Sequence, residues 1–471
     1  MQVRSFTKHA LGACAVVAVL AGCGGSPGSA ISAFSPSAAG AQRGVVPNAA
    51  GCQNGRSGQG TETPSTQFTV MGRYLGIRVG SKPVRRFFVK GMAYSPTLIG
   101  KGVSDPPACN SPLRNNNKAI WSRDLPLMRA MGVNAIRVFN ETPPPWDKDV
   151  GTIDEFLDAA WNNGEHPIYV LMTISFPGSA LNNVYAARDI AGQYQRLAAK
   201  YALYPAVMGV SIGNEITGGE NWTTKAWWDN FNVVAQGAKT GFASKNAKKL
   251  VTTADYDGLT PFEVDGRKQI AQIYWGEKYN AKVDAWGDNL YRGRYFSDLL
   301  EQIQDTTTKP VLLTEYGATA AYHPSWSNTY EHPQNPDKNG TCIPNGGPLG
   351  PVNRSVAELP GPSHNPNMGG LVDLATNMTQ LTYDSFKADG KLAGGFYFEW
   401  SDEWWKADSG NPAYRSEHVG NKEFVPWFPG CGEDAAWYGL NGIKPGSGEV
   451  DLLEPRPTLD AIKAVWAQEP Q

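Results

Sequence analysis

Eight short apolar runs, each followed by a stretch of helical character, constrain this chain more than any other feature. They are FFVKGMAY (87–94), NAIRVFN (134–140), PIYVLMTIS (167–175), AVMGVSIGNE (206–215), LVTTADY (250–256), VDAWGDNLY (283–291), PVLLTEYG (310–317) and AGGFYFEW (393–400). Strand and helix signals that alternate throughout point to parallel strands joined by crossover helices. The last segment, 458–468, places Leu459, Ile462, Val465 and Trp466 at i, i+3, i+6 and i+7, one face of a helix. Eight such units closing on that helix predict an α/β fold, a (β/α)8 TIM barrel. Two helix starts are readable: Thr152-Ile153-Asp154-Glu155 has the spacing of a capping box, and a second helix is expected over 224–241. Two long Gly/Pro-rich inserts, 323–368 after the seventh strand and 407–457 after the eighth, become loops on the catalytic face of such a barrel.

The 471 residues divide into three parts. Arg4 and Lys8 precede an apolar run over 10–21 that is too short to cross a bilayer, so residues 1–22 are expected to be a signal peptide. Leu20-Ala21-Gly22-Cys23 resembles the bacterial lipobox. That resemblance implies lipidation of Cys23, a membrane attachment through the lipid, and a place on a bacterial cell envelope. Residues 23–67, rich in Gly, Ser, Ala and Pro, read as a flexible tether because they cannot bury enough apolar surface to order themselves. Residues 68–471 are expected to form one barrel domain.

Without residues 1–22 the formal charge moves from -2 to -4, because two cationic side chains and no acid are lost. No dense Lys/Arg block occurs, which argues against nucleic acid as a partner. Cys52, Cys109, Cys342 and Cys431 are too widely spaced for a zinc site. In an exported chain they predict two disulfides with three connectivities, of which Cys342 with Cys431 is the preferred pairing; free thiols are the alternative. No metal or organic cofactor is implied, and a monomer is expected.

The stretch GVSIGNEITGG (209–219) admits two chemistries. Gly209-Val210-Ser211-Ile212-Gly213 has the G-x-S-x-G pattern of a serine-hydrolase elbow, with Ser211 as nucleophile. An elbow leads straight into a helix, however, and Ile-Gly-Asn-Glu-Ile-Thr-Gly-Gly cannot start one. None of His166, His323, His332, His364 and His418 has a distinctive context for a triad. In a strand, successive side chains point to opposite faces, so Gly209, Ser211, Gly213 and Glu215 share one face and Val210 and Ile212 the other. Small residues facing a barrel interior leave Glu215 pointing inward at the open end. The same parity in PVLLTEYGA places Val311, Leu313 and Glu315 together. Glutamates at the ends of strands four and seven form a pair that can act on a sugar acetal: one protonates the leaving oxygen, the other attacks or stabilises the oxocarbenium-like centre. Trp222, Trp227, Trp228, Trp275, Trp286, Trp326, Trp404 and Trp405 supply indole rings of the kind on which pyranose faces stack, some of them core. Glu399, Asp402, Glu403 and Lys406 read either as hydroxyl ligands or as solvated charges at the rim.

With FFVKGMAYSP, RDLPLMRAMGVNAIRVFN, PAVMGVSIGNEIT and KPVLLTEYGA in view, the chain resembles the retaining glycosidases whose barrels carry acid/base and nucleophile on strands four and seven. Within them it is most similar to the fungal β-1,3-glucanosyltransferases, over 87–318. The resemblance implies Glu215 as general acid/base, Glu315 as nucleophile, and Asn214 as the residue holding the sugar 2-hydroxyl. It further implies Arg137 beside Glu315, Tyr291 hydrogen-bonded to the nucleophile, Trp400 as the floor of the reacting subsite, and Asn289 and Tyr94 as further substrate contacts. The expected function is hydrolysis or transglycosylation of a β-linked, glucan-like polysaccharide by double displacement. A non-catalytic glycan-binding envelope protein and a serine esterase using Ser211 are the alternatives.

Overall fold

The computed structural model describes residues 65–105, 111–141, 152–218, 220–256, 262–291, 296–318, 371–410, 412–416, 422–423 and 433–469. It opens with a small antiparallel sheet of β1 (Thr66–Met71), β2 (Tyr74–Val79) and β3 (Arg85–Phe87). Met71 pairs with Tyr74 across a two-residue turn in which Gly72 takes φ 64°, the left-handed geometry that tight hairpins need. Phe68 and Phe87 meet Tyr169 edge-on at 5.2 and 5.5 Å, and Phe68 N–H donates to Lys248 O. Tyr169 and Lys248 stand at or just before the starts of barrel strands, so this sheet floors the barrel at its N-terminal end.

The barrel strands are β4 (Val89–Ala93), β5 (Ala135–Arg137), β6 (Tyr169–Ile174), β7 (Val207–Ile212), β8 (Leu250–Thr252) and β9 (Asp255–Tyr256). After a hairpin of β10 (Phe262–Val264) and β11 (Arg267–Gln269) come β12 (Trp286–Leu290), β13 (Val311–Tyr316) and β14 (Gly394–Tyr397). All barrel pairs are parallel, in the order β8-β7-β6-β5-β4-β14-β13-β12-β9. The two ends of that list are halves of a single run: β8 pairs with β7, β9 pairs with β12, and a bridge between Thr252 and Ala285 lies between them. The ring therefore closes on itself as an eight-stranded barrel, and each of the eight expected runs occupies one position in it.

Helices α1 (Lys118–Met131), α2 (Asp154–Trp161), α3 (Val184–Tyr201), α4 (Lys225–Ala243), α5 (Ala271–Lys278), α6 (Ser297–Thr306), α7 (Leu371–Ala388) and α8 (Pro457–Trp466) accompany the strands. Helices α3 and α4 approach closely because Gly237 has no side chain; a Cβ there would lie 2.3 Å from Ala191 O. Helix α4 starts as expected, with Thr224 Oγ1 accepting from Trp227 N–H. The capping box at 152–155 is not formed. The N-cap of α2 is Ile153, without a side-chain cap, while Thr152 Oγ1 accepts from Asn115 and Glu155 binds Lys118 at 2.8 Å. Those side chains find partners on α1 and in the turn just before it, which the local spacing could not reveal.

Helix α8 closes the structure. Lys90, buried in β4, donates to Trp466 O and Glu469 O at 3.4 and 3.1 Å, satisfying carbonyls at the end of that helix. Burial pulls the Lys90 ammonium below its ordinary pKa, with Glu469 acting in the opposite direction. After β14, two short antiparallel pairs follow: β15 (Lys422–Glu423) with β16 (Glu433–Asp434), then β17 (Asn441–Lys444) with β18 (Leu452–Pro455). The expected signal peptide, most of the tether, the 323–368 insert, Trp326 and the cysteines at 23, 52, 109, 342 and 431 lie outside the described residues.

Candidate active site

The C-terminal ends of β5, β7, β12 and β13 bring Arg137, Asn214, Glu215, Asn289, Tyr291 and Glu315 together. The alternation expected along β13 breaks at Thr314: Asp288 pairs with Leu313 but its neighbour Asn289 pairs with Glu315, so a bulge turns Glu315 inward while Val311 and Leu313 share the outward face of Trp286 and Asp288. Glu315 is 0% exposed. A buried carboxylate is costly unless its oxygens are satisfied. Glu315 Oε1 accepts from Arg137 Nη1 at 2.7 Å and from Asn289 Nδ2 at 2.8 Å, and Oε2 accepts from the Tyr291 hydroxyl at 2.8 Å. Arg137 is equally buried and donates through its other arm to Asn214 Oδ1 at 2.6 Å. Its planar fork thereby ties β5 to both glutamate-bearing strand ends.

Glu215 arrives by a different route. Regular strand ends at Ile212, after which Gly213 takes φ 70° and Glu215 itself φ 51°. A non-glycine residue in that region costs about 1–3 kcal/mol and persists only where its surroundings fix it. Here Glu215 N–H donates to Ala254 O at 2.7 Å, tying it to the next barrel strand. At Gly213 a Cβ would approach Ile216 Cγ2 to 2.5 Å, so only glycine fits. Glu215 Oε1 accepts from Asn289 Nδ2 at 3.0 Å, and Asn214 Oδ1 is 3.3 Å from the same nitrogen. Glu215, Asn214 and Tyr291 are half-buried, whereas Glu315, Arg137 and Asn289 are fully enclosed.

Two supporting residues were invisible in the sequence. Tyr194, from α3, accepts at its hydroxyl from Gly213 N–H (2.9 Å) and Ile174 N–H (3.1 Å), with Ser211 O at 2.7 Å, and so braces the turn that presents Glu215. Thr314, next to the nucleophile candidate, donates its hydroxyl to Asn289 Oδ1 at 2.9 Å. A helical tyrosine and a strand threonine carry no distinctive sequence signal.

Ser211 is 0% exposed and its hydroxyl donates to Gly213 O at 3.1 Å. Among the described residues the histidine is His166, exposed in the turn before β6 at the opposite end of the barrel. Tyr94 and Trp400 converge on Asp124. Tyr94 is wholly buried with its hydroxyl on Asp124 of α1, at 3.0 Å, and Trp400 is also a neighbour of Asp124. Trp227, Trp228 and Trp286 are core, packed edge to face. Glu399, Asp402, Glu403 and Lys406 are not solvated charges: all are buried. Asp402 takes both arms of Arg456, at 2.7 and 2.6 Å, and Lys406 pairs with Glu403. Burial, then the adjacent Glu403, pushes the Glu399 carboxyl well above the usual range. Among the described residues no group of three or more His, Cys, Asp and Glu could hold a metal ion.

Comparison with known proteins agrees with this arrangement. Residues 69–328, more than half of the chain, match the Glucanosyltransferase family. A 1,3-beta-glucanosyltransferase of Arthroderma benhamiae is 26% identical over 242 residues, covering 49% of this chain and 41% of that protein. The 1,3-beta-glucanosyltransferase gas1 of Schizosaccharomyces pombe is 26% identical over 271 residues, covering 53% and 43%. The chain thus spans less than half the length of these curated relatives. A solved β-galacturonidase from Eisenbergiella tayi shares the fold, with a TM-score of 0.50 at 14% identity over 86% of this chain and 54% of that one. The relatives also correct one expectation. They are fungal enzymes rather than bacterial lipoproteins, which overturns the bacterial, lipid-anchored placement inferred from residues 20–23.

Proposed function

The chain belongs to the glucanosyltransferase family, and from that premise we propose that it cleaves and re-forms β-1,3-glucan linkages by a retaining double displacement. The observation that carries this reading is the single nitrogen of Asn289 shared by Glu215 and Glu315. Bonds of 3.0 and 2.8 Å from one nitrogen hold the two Oε1 atoms close together, which favours the spacing of a retaining pair over the roughly 6.5–9.5 Å between the carboxyl groups of inverting enzymes, which need room for a water. The pair suits direct attack, with carboxyl groups about 5–5.5 Å apart.

Glu215 gives its proton to the glycosidic oxygen while a Glu315 oxygen forms a bond to the anomeric carbon and the C–O bond to the leaving chain breaks. Oε1 already accepts from two donors, which leaves Oε2, held by Tyr291 alone, as the freer nucleophile. Glu215, now ionised, takes the proton of an incoming sugar hydroxyl, whose oxygen displaces Glu315 and restores both groups. Water in place of the sugar gives hydrolysis. Arg137 compensates the buried charge of Glu315 and fixes the carbonyl of Asn214, whose NH2 is left to a substrate hydroxyl. Residues 68–471 act as one unit and as a monomer. Asp124 holds Tyr94 and Trp400 together.

The test is incubation with β-1,3-gluco-oligosaccharides of defined length, alongside other β-glucans and mannans, with products sized by mass spectrometry and anomers read by NMR. Products longer than the substrate, with β configuration kept and lost in Glu315→Ala, are expected. Inverted products, or unchanged turnover in Glu315→Ala, would sink the assignment.

A further inference from the structure

We propose that Thr314 is a positioning residue whose hydroxyl orients the side-chain amide of Asn289, so that one NH2 group serves both glutamates. The inference rests on the acid/base and nucleophile roles given above. An asparagine amide has an accepting and a donating side, and its partners decide which way it faces. An attacking Glu315 carboxylate can only accept, so the NH2 must face the glutamates. The carbonyl Oδ1 then points to β13, where Asn289 is 1% exposed and no water can take the place of a protein donor. Thr314 Oγ1, 0% exposed and 2.9 Å away, supplies that donor.

The hydroxyl cannot turn elsewhere, because the methyl of Thr314 is wedged over Gly287. A Cβ at Gly287 would lie 2.6 Å from Thr314 Cγ2, so the space the methyl occupies exists only because residue 287 is glycine. Gly287 is itself pinned to the fifth barrel position, its N–H and carbonyl bonded to Thr253 Oγ1 at 2.9 and 3.0 Å. The Thr314 carbonyl accepts from Arg137 Nη1 at 3.3 Å. One residue thus touches both the cation and the amide that hold Glu315. Without its hydroxyl, Asn289 Oδ1 becomes a buried acceptor with no donor, and the amide leaves its shared position.

Thr314→Val keeps the shape and removes the donor, and Thr314→Ser keeps the donor. For Thr314→Val we expect kcat on β-1,3-gluco-oligosaccharides to fall about 10- to 100-fold, the equivalent of one buried unsatisfied group, with KM little changed. Thr314→Ser should recover most of the loss. Thr314→Ala serves as the donor-less variant should valine prevent folding. Wild-type kcat in the donor-less variant, beside an inactive Glu315→Ala, would overturn the proposal and leave the proposed function standing. A crystal structure of the donor-less variant decides the matter independently of turnover: Asn289 displaced from Glu215 supports the inference, and Asn289 still bonded to both glutamates refutes it. If neither wild type nor Thr314→Ser acts on any β-glucan, the functional reading fails, and that structure still decides the role of Thr314.

Discussion

The Nδ2 atom of Asn289 lies 3.0 Å from Glu215 Oε1 and 2.8 Å from Glu315 Oε1, so the two carboxyl groups share a donor. A change at position 289 therefore reaches both halves of the reaction at once.

Asn289→Asp should be more damaging than Asn289→Ala, although it is the closer match in shape. It places a third acceptor-only group against two carboxylates, in a site where like charges repel strongly. Initial rates on a β-1,3-glucan substrate compare the two variants; an aspartate variant more active than the alanine one contradicts the shared-donor arrangement.

Tyr291→Phe removes one hydrogen bond to Glu315, of 2.8 Å, and leaves a half-buried ring in place. Hydrogen bonds to charged groups contribute about 1.5–3 kcal/mol. A loss of kcat/KM of about 10- to 100-fold with little change in melting temperature is expected. An equal loss of folding stability, seen by thermal unfolding, would assign Tyr291 to packing.

Ser211→Ala should leave turnover close to wild type, since the hydroxyl is enclosed and bonded to Gly213 O. Assay of glycan transfer beside hydrolysis of a small ester distinguishes the two chemistries. Loss of both activities in this variant would revive the serine reading.

Two glycines separate catalysis from stability. At Gly178 a Cβ would fall 1.8 Å from Ile216 O, one residue beyond Glu215, so Gly178→Ala must move the turn that carries the acid/base candidate. At Gly237 the clash is with α3, far along the helix layer. Gly178→Ala is expected to cut kcat more than it lowers the melting temperature, and Gly237→Ala the reverse. Identical effects of the two on kcat would show that the Gly178 contact does not govern Glu215.

Glu141 sets a pH dependence of stability. Burial pushes its carboxyl from 4.5 to about 7, against the pull of Arg114 and a 2.5 Å hydrogen bond from Ser111. A raised carboxyl means that the folded state binds more protons than the unfolded one between those values. The group's stabilising contribution is complete below about pH 4.5, declines as pH rises, and is gone above about pH 7. Glu141→Gln removes this slope, by at most about 3 kcal/mol. Thermal unfolding at pH 5 and pH 8 should find the variant gaining on wild type as pH rises; parallel curves would mean that Glu141 is not buried as described.

Much of the ring was legible because buried parallel strands are nearly continuous apolar runs, and their order follows from alternation with helices. Glu315 was placed on the correct side by a period of two that the strand does not keep: a bulge at Thr314 turns Glu315 inward, opposite to Val311 and Leu313. For Glu215 the same period gave the correct side through the wrong geometry, since the chain leaves the strand at Gly213 and the carboxylate is aimed by a left-handed turn. The cluster of Glu399, Asp402, Glu403 and Lys406 reads as rim residues, hydroxyl ligands or solvated charges, because what buries it arrives some forty residues later. Glu399 N–H donates to Tyr438 O, and Leu440 N–H to Glu399 O. Side chains that find their partners across the fold, as Thr152 and Glu155 do, leave no local trace.

The lysine at the base of the first barrel strand bears on how the molecule is made. Lys90 finds its acceptors at Trp466 and Glu469, nearly the whole described length of the chain away. As the chain leaves the ribosome, the first strand is therefore synthesised with a cation that has nowhere dry to go until the last helix follows. A nascent chain halted just before residue 457 already holds all eight strands, with β14 able to pair with β4, but it leaves the Lys90 ammonium without the carbonyls of Trp466 and Glu469.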